Sequence, residues 1–293
     1  MKSLFFLVGL FFSSYVLADE NLFGYVRGAE PLPEGSWEIY QIFTQRNDKG
    51  RGKYSATDSE TEFEYGVTNR FSVMGSFSMM AIDTSGLVID GYLPKDAKYG
   101  LTPSGLGTAL KYNFLSPAKD DFGLAAYLGI EYKTLDPHSG QKKDTTSVKL
   151  LGIVQKYFLE GELIWSSNFG MESTYAHRKK IDDLPEGFDW PVEPEMEIEV
   201  MAGTALSYRF MPKWFVGVES LFETEYETEI GQERWTIFAG PNLHYGSQQW
   251  WSTLTYFHQM QGGREQYPDQ TEKNLHLVEK TKYEVRWKVG FNF

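Results

Sequence analysis

Cysteine is absent from all 293 residues, so neither disulfides nor thiolate metal sites can stabilise the chain. Positive charge is scarce. The 28 Lys and Arg stand against 40 Asp and Glu, a net charge of −12, which argues against nucleic acid as a partner. Runs of about 20 apolar residues, which a helical membrane protein needs, are not expected at a mean hydropathy of −0.40. What the chain has in excess is rings: 18 Tyr, 21 Phe and 8 Trp. Disordered chains are poor in aromatics, so that class falls as well. Two classes remain, a soluble all-β protein and a β-barrel in a membrane.

The N-terminus bears on the compartment. Lys2 precedes a compact apolar run, Leu4 to Phe12, and Val16-Leu17-Ala18 ends it before the acidic Asp19-Glu20. This is the pattern of a secretory signal peptide. The run is too short for a bilayer anchor, and no basic stop follows it. Cleavage after Ala18 is expected, leaving 19–293 as one domain with a slightly more acidic balance, since Lys2 is the only charge removed.

Alternation of apolar and polar residues recurs along that domain, the mark of strands with two unlike faces. In the last segment Tyr283, Val285, Trp287, Val289, Phe291 and Phe293 alternate with Lys282, Glu284, Arg286, Lys288, Gly290 and Asn292. Twelve segments can be marked: 36–46, 54–67, 71–82, 106–115, 122–134, 145–158, 162–176, 195–210, 214–226, 234–245, 250–260 and 275–293. Tight turns follow the even-numbered segments. Longer connections follow odd-numbered ones, including 83–105, 177–194 and 261–274. Outer-membrane barrels sort their connections in this way. Aromatics at segment ends, such as Trp37, Tyr112, Tyr208, Trp214, Trp250 and Trp287, fit girdles at the two membrane interfaces. The expected fold is therefore all-β, a transmembrane antiparallel up-and-down barrel of about twelve strands in the bacterial outer membrane. Its C-terminal Phe291 and Phe293 resemble the signal read by the barrel-assembly machinery, although Lys288 stands where that signal often has Gly.

Two stretches carry a resemblance. Gly28-Ala29-Glu30-Pro31-Leu32-Pro33-Glu34-Gly35 and Glu62-Phe63-Glu64-Tyr65-Gly66-Val67-Thr68 resemble a family of exported Gram-negative proteins of unknown function that pair a G-A-E-x-L-P-x-G segment with an E-x-E-Y-G-x-T turn. The resemblance implies an outer-membrane barrel and names no activity. Read physically, Pro31 and Pro33 break structure before the first strand, and Gly66 to Asn69 form the first tight turn.

If the apolar set faces lipid, the other set lines the lumen. Glu60, Glu62 and Glu64 fall there on the second strand. Glu195, Glu197 and Glu199 fall on the eighth, and Glu219, Glu223, Glu225 and Glu227 on the ninth. The ends of the eighth and ninth strands should bring their acids together near the outer mouth, where they would attract cations. Lys280, Lys282, Arg286 and Lys288 are expected on the inward face of the last strand, opposing them. Pairing of these charges into a stabilising plug is the alternative. Phe215, Phe238, Tyr127 and Tyr157 also fall inward, consistent with a partly filled interior. Histidines 138, 177, 244, 258 and 276 show neither a G-x-S-x-G partner nor metal-ligand spacing, and those in loops should be solvated. The acidic loop with Asp182, Asp183, Glu186, Asp189 and Glu193 lacks EF-hand spacing. No cofactor or metal is expected. The partners expected are outer-membrane lipid, the assembly machinery and small solutes or ions. The leading functional expectation is a passive pore for small solutes or cations. A barrel that is structural or displays binding loops comes second, and a phospholipase- or protease-type barrel enzyme third.

Overall fold

The computed structural model describes residues 21–89, 96–182, 184, 186, 190, 192–227 and 231–293. Twelve strands lie among them. They are β1 (Trp37–Asn47), β2 (Arg51–Thr68), β3 (Phe71–Val88), β4 (Lys98–Leu115), β5 (Gly123–Leu135), β6 (Lys142–Phe158), β7 (Leu163–Arg178), β8 (Glu195–Met211), β9 (Trp214–Glu227), β10 (Gly231–Gly246), β11 (Trp250–Arg264) and β12 (Tyr283–Asn292). Each pairs antiparallel with its sequence neighbours, and β1 pairs with β12 to close the barrel. Trp37 and Phe293 exchange backbone hydrogen bonds at one end of that seam, at 3.1 and 2.8 Å.

The alternation decides which face looks where. Phe169 is 68% exposed, Leu106 60% and Val218 58%, while Glu64 and Lys111 on the opposite face are at most 1% exposed. Such an inversion is stable only where apolar solvent surrounds the barrel, so the fold is a transmembrane barrel. At the end carrying Trp37 and Phe293, rings from neighbouring strands meet. Trp37 lies 4.5 Å from Tyr65, Tyr245 4.6 Å from Trp250, and Trp214 5.0 Å from Tyr245. That is the geometry of an interfacial girdle.

Three expectations about connections need correction. β3 and β4 extend well beyond the marked segments, so the 83–105 connection shrinks to 89–97, of which 90–95 lie outside the described residues. The β1–β2 connection, 48–50, is as tight as most turns at the other end, and the strand bounds leave only 228–230, outside the described residues, between β9 and β10. The sorting by length is therefore only partial. β12 begins at Tyr283, so Lys280 and Lys282 belong to the connection 265–282 and not to a strand. That stretch keeps an alternating pattern but folds inward. The Gln259 amide donates to the carbonyls of His276 (2.9 Å) and Thr281 (3.0 Å) and accepts the His276 N–H (2.6 Å), replacing the strand ladder.

Candidate functional site

The lumen is occupied by the chain itself. Residues 21–33 enter it beside β12 and β1, reach mid-depth at Gly24 to Val26, cross to β6 and β7, and leave at Gly66. Leu22, Phe23 and Val26 pack on Ile164, Ala205 and Phe215, and Ala29 packs with Ala125, Leu151, Ile153 and Met201. Apolar patches inside an otherwise polar barrel are thus covered by an apolar segment. Tyr127 and Tyr157, with Phe215 and Phe238, do face inward and contribute to this filling.

Polar groups fix the segment at both walls. Glu219 receives the N–H groups of Gly24 (2.8 Å), Tyr25 (2.8 Å) and Val26 (3.2 Å), and also Asn242 (3.0 Å) and Thr255 (2.9 Å). Three successive backbone N–H groups converging on one carboxylate form a nest for negative charge. Lys288 donates to Asn21 Oδ1 (2.5 Å), and Arg286 donates to the Gly24 carbonyl (3.2 Å) while its guanidinium lies 3.8 Å from the Tyr25 ring centre. Tyr25 stacks on Phe257 at 4.1 Å and donates to Glu284 (2.6 Å). On the far wall, Asn168 accepts the Arg27 N–H (2.7 Å), Gln155 accepts that of Ala29 (2.5 Å), and Lys111 donates to the Glu30 carbonyl (2.5 Å).

The opposite end is closed by the connections 136–141 and 265–282. The acids expected at this mouth are neighbours, with Glu197 opposite Glu227 and Glu199 opposite Glu225, and most are paired. Arg178 meets Glu195, and Lys143 meets Glu197 at 3.1 Å. Arg234 binds Glu225 as well as Glu199 (2.8 Å) and Glu279 (2.7 Å), and Lys280 binds Glu223 (2.7 Å) and Glu199 (3.4 Å). Lys282 instead pairs with Glu272 at 2.7 Å, beside the wall it was expected to line. Two carboxylate triads, Glu195-Glu197-Glu227 and Glu225-Glu233-Glu279, have the spacing to hold a cation. In both, Arg or Lys already supplies the positive charge.

The histidines depart from expectation. His138 and His276 lie in connections yet are enclosed rather than solvated. Lys49 donates to the Glu279 carbonyl at 2.8 Å and lies 2.6 Å from His138 Nδ1. Burial pushes Lys49 well below the ordinary lysine range, and burial together with the neighbouring Lys49 does the same to His138. Burial lowers His276 to about 4, against the pull of Glu279. His244 is buried beside Thr253 at 2.7 Å. Of the acidic loop, Asp183 and Asp189 lie outside the described residues.

Between the N-terminal segment and the outer closure lies a chamber of about 490 Å³. Glu60 and Glu62 face it from β2, with Glu131 and Lys133 from β5, Lys149 from β6 and Glu172 from β7. Glu131 pairs with Lys133 at 2.8 Å and Glu172 with Lys149 at 2.7 Å. Tyr40 donates to Glu62, and Arg27 approaches it at 3.8 Å. Glu64 is buried nearer the terminal end, and Arg46, Asp58, Glu223, Glu279, Lys280, Glu284, Arg286 and Lys288 add further charge to the chamber's lining. The arrangement can hold or pass a small polar solute, and its walls carry both signs of charge. The occupying segment was not foreseen. Its signal is Asn21-Leu22-Phe23-Gly24-Tyr25-Val26, too apolar for a free tail yet upstream of the first strand.

Solved structures share the fold. An outer membrane channel from Pseudomonas putida F1 aligns with a TM-score of 0.57 at 12% identity, covering 90% of this chain and 98% of that one. The translocator domain of the autotransporter NalP from Neisseria meningitidis gives 0.55 at 14%, covering 89% and 90%. The β domain of the Bordetella autotransporter BrkA gives 0.53 at 11%, covering 89% and 100%. No curated protein matches the chain. A family model described as a family of unknown function (DUF6662) matches residues 15–293, and the chain belongs to that family.

Proposed function

We propose that this family member is an outer-membrane pore for small polar solutes, weakly preferring cations, which its own N-terminal segment holds closed at rest. The observation that carries the reading is the charged chamber enclosed between residues 21–33 and the outer connections. A barrel needed only as a scaffold gains nothing from a charged chamber left unfilled by its own side chains, since packing it with them would be more stable. The Pseudomonas putida protein of like fold is described as a channel, which supports the class. Cleavage after Ala18 and delivery by the assembly machinery through Phe291 and Phe293 belong to the same reading.

Planar-bilayer recording tests it. The full chain should pass little steady current, and a chain lacking residues 19–33 should show discrete steps. In that shortened chain, Glu199→Gln with Glu223→Gln leaves Lys280 without its two acids, so ion preference should move towards anions. A shortened chain that folds into a barrel and passes no current would overturn the pore. A second reading, a structural barrel, draws on the pairing of most of the mouth acids and is what that silence would favour.

A further inference from the structure

We propose that the chamber is a binding site for a small zwitterion, an amino acid or short peptide, whose ammonium group is taken by Glu60 and whose carboxylate is taken by Lys133. The inference deepens the pore reading by naming its substrate class, and it rests on that reading for its biological sense.

Glu60 and Lys133 lie in one cross-strand row. Glu60 on β2 is opposite Ser78 on β3, Ser78 is opposite Gly105 on β4, and Gly105 is opposite Lys133 on β5. Three strand spacings put their backbones about 14 Å apart along the wall. The positions between them are small, so the row is a recess with a carboxylate at one end and an ammonium at the other. Among the described residues the Glu60 carboxylate has no hydrogen-bond or ion-pair partner, although it lines the chamber. Lys133 shares only Glu131, and Glu60 and Glu172 both lie within its electrostatic reach.

The rest of the chamber narrows the ligand class. A single-signed ion that displaced one member of the Glu172–Lys149 or Glu223–Lys280 pair would leave the other charge enclosed and uncompensated, a heavy penalty. A zwitterion adds no net charge: its ammonium meets Glu60, and its carboxylate joins Glu131 on the Lys133 ammonium without displacing it. Two of the chamber's tyrosine rings, which could stack a sugar or an aromatic solute, already stack within the protein. Phe257 and Arg286 lie against Tyr25, and Arg27 lies over Tyr127 at 4.5 Å. The volume of about 490 Å³ leaves room for a dipeptide with water.

Equilibrium dialysis of the detergent-solubilised full chain against glycylglycine, its N-acetyl form and its C-terminal amide tests the assignment. Saturable binding of glycylglycine is expected, with both blocked forms at least about tenfold weaker. Glu60→Gln should weaken glycylglycine at least about tenfold yet leave the weak N-acetyl form unchanged, and Lys133→Met should likewise weaken glycylglycine yet leave the weak amide unchanged. Because the Glu60 carboxylate makes no hydrogen bond or ion pair among the described residues, and Gln41 is held by the Glu60 backbone carbonyl, its near-isosteric variant tests the site without testing the fold. No saturable binding, equal binding of the three probes, or indifference to Glu60→Gln would overturn the site. Binding is read on the closed protein, so a silent bilayer recording removes the pore without touching this result, and a conducting pore that fails to bind glycylglycine removes the site alone.

Discussion

Glu219 collects five donors, three of them consecutive backbone N–H groups that have no strand partner inside the lumen. A carboxylate is suited to this because both oxygens accept and no donor is turned on the nest. Glu219→Ala strands these groups in a buried place and should destabilise the docked segment by about 1–3 kcal/mol. Hydrogen exchange checks it, with the amides of Gly24 to Val26 exchanging faster while the strand amides of β9 and β10 stay protected. Equal protection in the variant would contradict the anchoring role. His276 makes a pH prediction at the same scale. Its value of about 4 in the folded protein lies below the ordinary 6.5, so the folded state resists a proton that the opened state accepts. Stability from this group is complete above pH 6.5 and is lost as pH falls towards 4. His138, lowered in the same direction, adds to the loss. The connection 265–282 should therefore loosen between pH 6.5 and 4, seen as faster pH-corrected exchange of its amides.

At the scale of elements, the strands were legible because each had one job, to separate lipid from lumen with a period of two. The face assignments of Phe63, Glu62, Trp287 and Phe238 follow from that period once the apolar set is turned to lipid. The segment 21–33 was not legible because it forms no ladder. Its backbone groups are met by side chains of many strands, and only the closed barrel brings those together. Lys280 and Lys282 were misplaced for a related reason. Leu275 and Leu277 continue an alternation, yet the Gln259 amide, distant in sequence, holds His276 inward. The exit of the N-terminal segment depends on Gly66, where a Cβ atom would come 2.0 Å from the Pro33 carbonyl oxygen. Gly66→Ala should therefore displace that exit. Arg27 is the one basic residue between 21 and 33, so trypsin reads the displacement as faster cleavage after Arg27 in the folded barrel. Unchanged cleavage would mean that the segment is held without its exit contact.

At the scale of the whole molecule, the composition divides by place. Rings concentrate on the outward face and girdle, and acids and bases concentrate inside and pair there. The candidate lumen residues were legible as a face, from Glu60 to Lys288. Their partners were not, because pairing depends on barrel curvature and on connections that fold back. The complete lack of Cys makes the central claim testable. A Cβ atom at Gly203 would lie 3.2 Å from Val26 Cγ2, so Val26→Cys with Gly203→Cys places two thiols within disulfide reach in a chain with no others. Conductance of this variant, recorded before and after adding reductant to one membrane, is the most direct measurement. Oxidised protein should stay silent under applied voltage and reduced protein should show intermittent steps as the segment leaves. Current that is the same in both states would contradict a pore closed by its own N-terminal segment.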